Sequence, residues 1–354
     1  MFNSRIPLLL GLILAGAAAC TSNTRTEPSD QDVDGEPEDV IGSSPGVVTV
    51  MTWNICYGGG GGGGGIPDMG SMFESVRETD FPERAARIAR TIDQHQPQVV
   101  CLQEVARWNR DEIIGGDKDT IDFLDILLER LEGRSLHYDV IGSLETIDFK
   151  APAFRGGDPS KVKWQERIVM LTRRSSQVQV SNVRQRHYDK IYTISIPAND
   201  DLTFNRGWIA ADITCNGRKA RYVCTHLEAM SGSVRDDQAR QLINSLSSTN
   251  LSTVVMGDMN TEPGSDVYAH FTDAGFADAW AAHNGVDEGP TCCQSGDLQN
   301  DKSELSRRID YILLRGALSP VSSTRVGYRP SDRTQDGLWP SDHAGVVAKV
   351  QFNK

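Results

Sequence analysis

Apolar residues fall along this chain in short, dense runs broken by polar punctuation, and the period within each run says what it builds. Val, Ile, Leu and Met concentrate in residues 47–53, 98–102, 167–172, 207–213, 219–225, 252–256, 309–314 and 344–350. Such runs are the length of strands and rich in side chains that suit a buried, pleated surface. Other stretches carry the helical period. Pro82, just after Asp80, suits a first helical turn, and Ala85, Ile88, Ala89 and Ile92 then share one face. Phe123, Leu124, Leu127, Leu128 and Leu131 repeat that pattern and predict a helix over 120–132, and a third is expected from Val234 to Leu246. Strands and helices interleave without strict alternation, and hairpin signals fall mid-chain. The pattern therefore predicts mixed sheets flanked by helices, an α/β (α+β) fold, in preference to a doubly wound parallel sheet.

The N-terminal stretch departs from this pattern. Arg5 precedes an apolar run from Ile6 to Ala19, which ends in Ala17-Ala18-Ala19-Cys20. The run falls short of the roughly 20 apolar residues that a membrane span needs, and small residues before a cysteine suit cleavage. Residues 1–20 are expected to be a signal peptide of the bacterial lipoprotein kind, with Cys20 lipidated, although Ala17 stands where a Leu-like residue is preferred. Residues 21–46 are rich in Ser, Thr, Pro, Asp and Glu and nearly free of large apolar side chains, so they cannot offset the entropy of ordering. They are expected to form an acidic tether ahead of a catalytic body over 47–354.

Net charge is −12 at pH 7, and the body stays acidic without the tether. That balance argues against gripping long nucleic acids, whose affinity draws on counterion release by Lys and Arg. Seven cysteines in an exported chain permit disulfides. A hairpin turning at Asn216-Gly217 would set Cys215 opposite Arg218, so Cys215 and Cys224 are not expected to pair. Adjacent Cys292 and Cys293 are expected to have separate fates. Eight glycines, Gly58–Gly65, lack the Lys and Ser or Thr of a phosphate-cradling loop and suit a surface loop without a role.

Polar groups recur at the ends of the strand-like runs. Val47–Trp53 leads into Asn54, Gln98–Leu102 into Gln103-Glu104, Ala220–Thr225 into His226, Thr253–Gly257 into Asp258-Met259-Asn260, and Asp342-His343 precede the last run. Strand ends gather along the rims of a sheet, where clustered carboxylates repel unless a cation joins them. Carboxylate and amide oxygens without Cys-His spacing suit Mg2+, or Mn2+, better than zinc.

Thr52-Trp53-Asn54, Gln103-Glu104, Thr225-His226-Leu227, Gly257-Asp258-Met259-Asn260, Arg308-Ile309-Asp310-Tyr311-Ile312 and Ser341-Asp342-His343 stand in an order that resembles the endonuclease/exonuclease/phosphatase superfamily, with its deoxyribonuclease I-like fold. The resemblance spans 47–352. It implies a four-layer αββα sandwich of two mixed sheets with the site at one rim, and a metal-dependent phosphoric ester hydrolase. Glu104 is then the principal metal ligand, supported by Asp342 and Asn54. Asp258 orients or deprotonates the attacking water. Asn54, Asn260, His226 and Arg206 face the phosphate, while His226 and His343 stabilise its charge or assist the leaving group. Asp310 fixes the tautomer of His343. Arg167 is a further candidate for the substrate face.

The expected substrate is a phosphodiester or phosphomonoester near a membrane, such as a lipid head group or inositol phosphate, acted on by a monomer. Two alternatives stand beside it: an extracytoplasmic nuclease acting on DNA or RNA, and a noncatalytic surface protein on the same scaffold.

Overall fold

A computed structural model describes residues 46–60, 68–112, 118–155, 158–196, 199–285 and 287–353. The expected signal peptide, Cys20 and all but the last residue of the expected tether lie outside the described residues, as does part of the glycine run.

The strands of the first half are β1 (Val47–Asn54), β2 (Val99–Gln103), β3 (Arg107–Glu112), β4 (Lys118–Asp122), β5 (Tyr138–Arg155), β6 (Asp158–Arg173) and β7 (Val178–His187). Then follow β8 (Tyr192–Ile194), β9 (Leu202–Phe204), β10 (Gly207–Cys215), β11 (Arg218–His226), β12 (Thr253–Asp258), β13 (Ala277–Asp278), β14 (Asp310–Arg315), β15 (Leu318–Val326) and β16 (Gly345–Phe352). The helices are α1 (Met69–Glu78), α2 (Phe81–His95), α3 (Phe123–Glu132), α4 (Gly232–Leu246), α5 (Asp266–Asp273) and α6 (Ala279–Asn284). Each of the eight apolar runs lies largely within a strand.

One sheet runs β15-β16-β1-β2-β6-β3-β4, with β5 paired along β6, and the other runs β13-β14-β12-β11-β10-β7. Each is mixed: β1 is parallel to β2 and antiparallel to β16, and β11 is parallel to β12 while β12 and β14 are antiparallel. Between the sheets, Val48, Val50, Val99, Ile168 and Met170 pack with Ile209, Ala211, Tyr222, Val254, Met256 and Ile312. The outer face of the first sheet is covered by α1, α2 and α3 through Met72, Phe73, Phe81, Ile88 and Leu127 against Met51, Trp53 and Leu102. Ala239, Leu242 and Phe271 of α4 and α5 cover Val223, Val255 and Leu313 on the second. The result is the αββα sandwich.

Local chemistry sets the element ends. The side chain of Asp80 accepts from the Glu83 N–H and caps α2, with Pro82 in its first turn. The helix expected over 120–132 begins only at Phe123, because Lys118–Asp122 pair as a strand with Asp111–Arg107 and Asp122 then caps the helix. At Asn216-Gly217 both residues take positive φ, 51° and 75°, and the tight turn sets Cys215 opposite Arg218.

Cysteine pairing could not be read from spacing. Cys224 bonds Cys101, whose Cα lies 5.3 Å away, so one disulfide joins β2 of the first sheet to β11 of the second. Cys292 and Cys293, expected to go separate ways, are bonded to each other across a cis peptide. Among the described residues no other cysteine reaches them, and the two remaining described thiols, Cys56 and Cys215, are buried elsewhere.

Candidate active site

The site is a continuation of the core. Side chains alternate across a strand, so Val48, Val50 and Thr52 point between the sheets and Asn54 follows them. By the same period Cys224 leads to His226, Met256 to Asp258, and Ile312 back to Asp310. His226 pairs with Asp258 in the β11–β12 ladder, and Asp258 with Asp310 in the β12–β14 ladder. Three strands thus deliver an imidazole and two carboxylates side by side at one rim. Gly257 makes the approach feasible: a Cβ there would lie 2.0 Å from the carbonyl oxygen of Thr225.

Asn54 stands opposite, from the first sheet. Its Nδ2 lies 2.9 Å from Oε1 of Glu104 and 3.1 Å from Oδ2 of Asp258, while its Oδ1 accepts from the Cys56 N–H. The donor face of Asn54 is turned to the two carboxylates, which leaves Glu104 and Asp342 as the oxygen donors for a cation. Glu104 sits just beyond β2 at φ 56°, and its Oε2 accepts from the Tyr57 N–H. Burial, then the nearby charges of Glu166 and Asp342, push its carboxyl up to about 7. Burial and the neighbouring carboxylates outweigh the nearby charge of His343, so Glu104 and Asp342 together fit a hard divalent cation.

Asp258 is the opposite case. Burial would raise its pKa, but the hydrogen bond from His226, the charge of His343 and the Asn260 N–H outweigh it and hold Asp258 well below the usual carboxylate range. It is the ionised base of the site. Asn260 turns at φ 49°, donating its N–H to Asp258 Oδ1 at 2.8 Å and its Nδ2 to the Leu227 carbonyl at 3.0 Å.

The two histidines are held by different partners. Nδ1 of His343 lies 2.9 Å from Oδ2 of Asp310, and its Nε2 lies 3.9 Å from Asp258. Burial would lower the His343 pKa, but the charges of Asp310 and Asp342 and the Asp310 hydrogen bond raise it well above the ordinary value. Ser341 Oγ accepts from the His343 N–H and donates to the Asn54 carbonyl, tying the last motif to the first. His226 presents Nε2 to Asp258 at 3.4 Å and receives Arg206 Nη1 at Nδ1.

Arg206 is buried behind His226, with its Nη1 2.6 Å from Glu166 Oε1. It holds the histidine from the side away from Asp258. Arg167 is engaged by Asp122 at 2.5 Å and by the carbonyls of Val105 and Ala106. Sequence reasoning passed over Glu166, a buried carboxylate that also accepts from Thr146 Oγ1. The signal was present, since Glu166 is a polar residue at the end of a strand-like run, as Glu104 is. Thr291 was missed as an anchor: its Oγ1 accepts from the N–H groups of Ile309 and Asp310.

A sequence profile of the Endonuclease/Exonuclease/phosphatase family matches residues 51–343. The chain belongs to the endonuclease/exonuclease/phosphatase family. Members of this family are phosphoric ester hydrolases that typically use a divalent metal. Mouse (Mus musculus) nocturnin is 23% identical over 328 residues, which cover 88% of this chain and 67% of that protein. Among solved structures, the human nocturnin catalytic domain with bound sulfate anion aligns with a TM-score of 0.51 at 21% identity, over 87% of this chain and 95% of that one. A mannosyl-6-phosphatase of Bacteroides thetaiotaomicron aligns with a TM-score of 0.51 at 16% identity, over 86% and 99%. These structural likenesses establish the family's two-sheet fold for this chain.

Proposed function

We propose that this chain is an exported, Mg2+-dependent phosphoesterase that hydrolyses a phosphodiester or phosphomonoester by in-line attack of water. The observation that carries the reading is the meeting of Glu104, Asn54, Asp258, His226 and His343 at one rim, with Asp258 held ionised and His343 held toward its protonated form.

Glu104 and Asp342 would hold the cation, which when bound neutralises phosphoryl oxygen charge. Asp258, ionised and anchored by Asn260, accepts the proton of the attacking water. Nε2 of His226 carries a proton, since Arg206 can only donate to Nδ1, and it hydrogen-bonds a phosphoryl oxygen. Protonated His343, oriented by Asp310, stabilises charge at the leaving oxygen and supplies its proton.

For substrate, the acidic chain favours a compact phosphate ester such as a lipid head group or inositol phosphate over long nucleic acid. Export and a lipid tether at Cys20 are supported by the sequence of the first twenty residues and by the buried Cys101–Cys224 disulfide, which suits an oxidising compartment. Residues 47–354 are expected to hydrolyse an activated phosphodiester only with Mg2+ or Mn2+, and Glu104→Ala or His343→Ala to abolish turnover. Full activity in chelator would overturn the reading. A screen across phospholipids, inositol phosphates, nucleotides and plasmid DNA assigns the substrate. Fractionation of the full chain beside Cys20→Ser tests the tether, which fails if both partition alike.

A further inference from the structure

Cys292 and Cys293 have no part in the hydrolytic steps above, yet they lie against them. Their sulfurs and a ring nitrogen of His343 all fall within 4.8 Å of one another. Cys292 forms backbone bridges to both Arg307 and His343, and the Ala344 N–H bonds the Thr291 carbonyl, so this segment is stitched to the strand that carries the histidine. Arg307 Nη2 sits 3.4 Å from Cys292 Sγ and 3.6 Å from Cys293 Sγ.

We propose that Cys292, Cys293 and His343 form a binding site for a thiophilic cation such as Zn2+, opened by reduction of the Cys292–Cys293 disulfide, and that filling it silences the phosphoesterase. Two ligands about 2.3 Å from one ion lie at most about 4.6 Å apart, so once the bond between them is cut the two sulfurs have to separate while staying within reach of the His343 nitrogen. Arg307 favours the thiolates that a metal requires. Ligand softness separates the two adjoining sites: the carboxylates of Glu104 and Asp342 take a hard cation, and the thiolates take a soft or borderline one.

The bonded pair is a poor ligand set, so the cation enters only after reduction. An external dithiol supplies the electrons: it is oxidised to its own disulfide, Cys292 and Cys293 each become a thiol, and the incoming cation displaces their protons. Cys293 is half-buried, whereas Cys101 and Cys224 are fully buried between the sheets, so an external dithiol meets the Cys292–Cys293 bond first. A cation on either nitrogen of His343 takes a lone pair that a proton would occupy, so the ring loses the doubly protonated form in which it works. That consequence rests on the hydrolase reading; the site itself does not.

Cd2+ titration of the reduced protein, followed by thiolate-to-metal charge-transfer absorption, tests the site without reference to activity. One equivalent should bind the reduced wild type. Oxidised protein and reduced Cys293→Ser should not bind it, and His343→Ala should bind more weakly by more than about tenfold. Absence of binding by the reduced wild type, or equal binding by His343→Ala, overturns the site. In parallel, Zn2+ added at fixed Mg2+ should inhibit reduced wild type and spare both the oxidised form and reduced Cys293→Ser. Inhibition regardless of oxidation state overturns the gating. Should no phosphate ester be hydrolysed at all, the hydrolase reading fails while the Cd2+ titration still decides the site.

Discussion

Arg206 donates a hydrogen bond from Nη1 to Nδ1 of His226 across 2.8 Å, and the same nitrogen lies 2.6 Å from Oε1 of Glu166. A guanidinium has no lone pair to accept with, so Nδ1 of His226 is the acceptor and its proton sits on Nε2, facing Asp258. His343 is held the other way, with Nδ1 against the Asp310 carboxylate. Two histidines of one site are thereby given different forms by their partners. Replacing Arg206 alone would strand the buried Glu166, so the informative variant is Arg206→Met with Glu166→Gln, which removes both charges together. It is expected to fold with little change in melting temperature and to lose activity by about 10- to 100-fold. Added to His226→Ala it should cost little more, because the pair acts through that ring. An additive loss would mean that Arg206 touches substrate.

Asp310→Asn tests the other imidazole. The amide can offer its N–H to Nδ1 and turn the ring to the wrong tautomer, and it no longer raises the His343 pKa. A group that works protonated loses activity as pH rises through its pKa. The alkaline limb of the rate profile should therefore move to lower pH in the variant, with turnover reduced by about a hundredfold or more. An unmoved limb would show that His343 does not work as the acid.

How far the molecule could be read from its sequence follows from what each feature depends on. Runs such as Val47–Trp53 and Thr253–Met256 announce strands because a strand between two covered faces must be apolar throughout. Asn54, Glu104, His226, Asp258 and Asp310 were legible because each breaks or ends such a run. The long β5–β6 hairpin was legible only at its apolar end, Arg167–Thr172, since much of the rest, with Lys150, Lys161 and Lys163, alternates polar and apolar without a dense run. Residues 118–122 become a strand through pairing with 107–111, which no local propensity reports. The Cys101–Cys224 bond depends on how the sheets stack, and Glu166 and Arg206 become partners only when β6 and β10 approach the same rim.

The carboxyl of Glu104 gives a stability prediction. Its folded pKa, about 7 against an ordinary value of 4.5, means that the folded metal-free protein binds its proton more tightly than the unfolded chain does. Stability contributed by the protonated form is present below pH 4.5 and is lost as pH rises toward 7. The raised pKa of His343 acts in the same direction, and the depressed one of Asp258 acts at lower pH, outside this window. The melting temperature in chelator should fall between pH 5 and pH 8. At pH 8, Mg2+ at a hundredfold excess over its Kd should restore about 3 kcal/mol. Glu104→Gln should flatten both responses, and a metal-free protein equally stable at the two pH values would contradict this account of the site.

The Cys101–Cys224 bond closes a loop with a sequence separation of 123 between strands of opposite sheets. Confining so long a loop in the unfolded chain stabilises the fold by about 5 kcal/mol on chain entropy. The bond also lies close to the chemistry, since Gln103-Glu104 follow Cys101 within three residues and His226 is two residues beyond Cys224. Both sulfurs sit where the sheets must keep their spacing for Asn54 and Glu104 to meet Asp258. Cys101→Ala with Cys224→Ala should lower the denaturant midpoint sharply and reduce turnover several-fold even where the protein is fully folded. The loss of activity should exceed that of a buried Val255→Ala, which weakens the outer layer of the second sheet without touching the spacing of the rims. If the double variant keeps both its midpoint and its turnover, the two sheets hold their distance by side-chain packing alone, and the bond has no part in shaping the site.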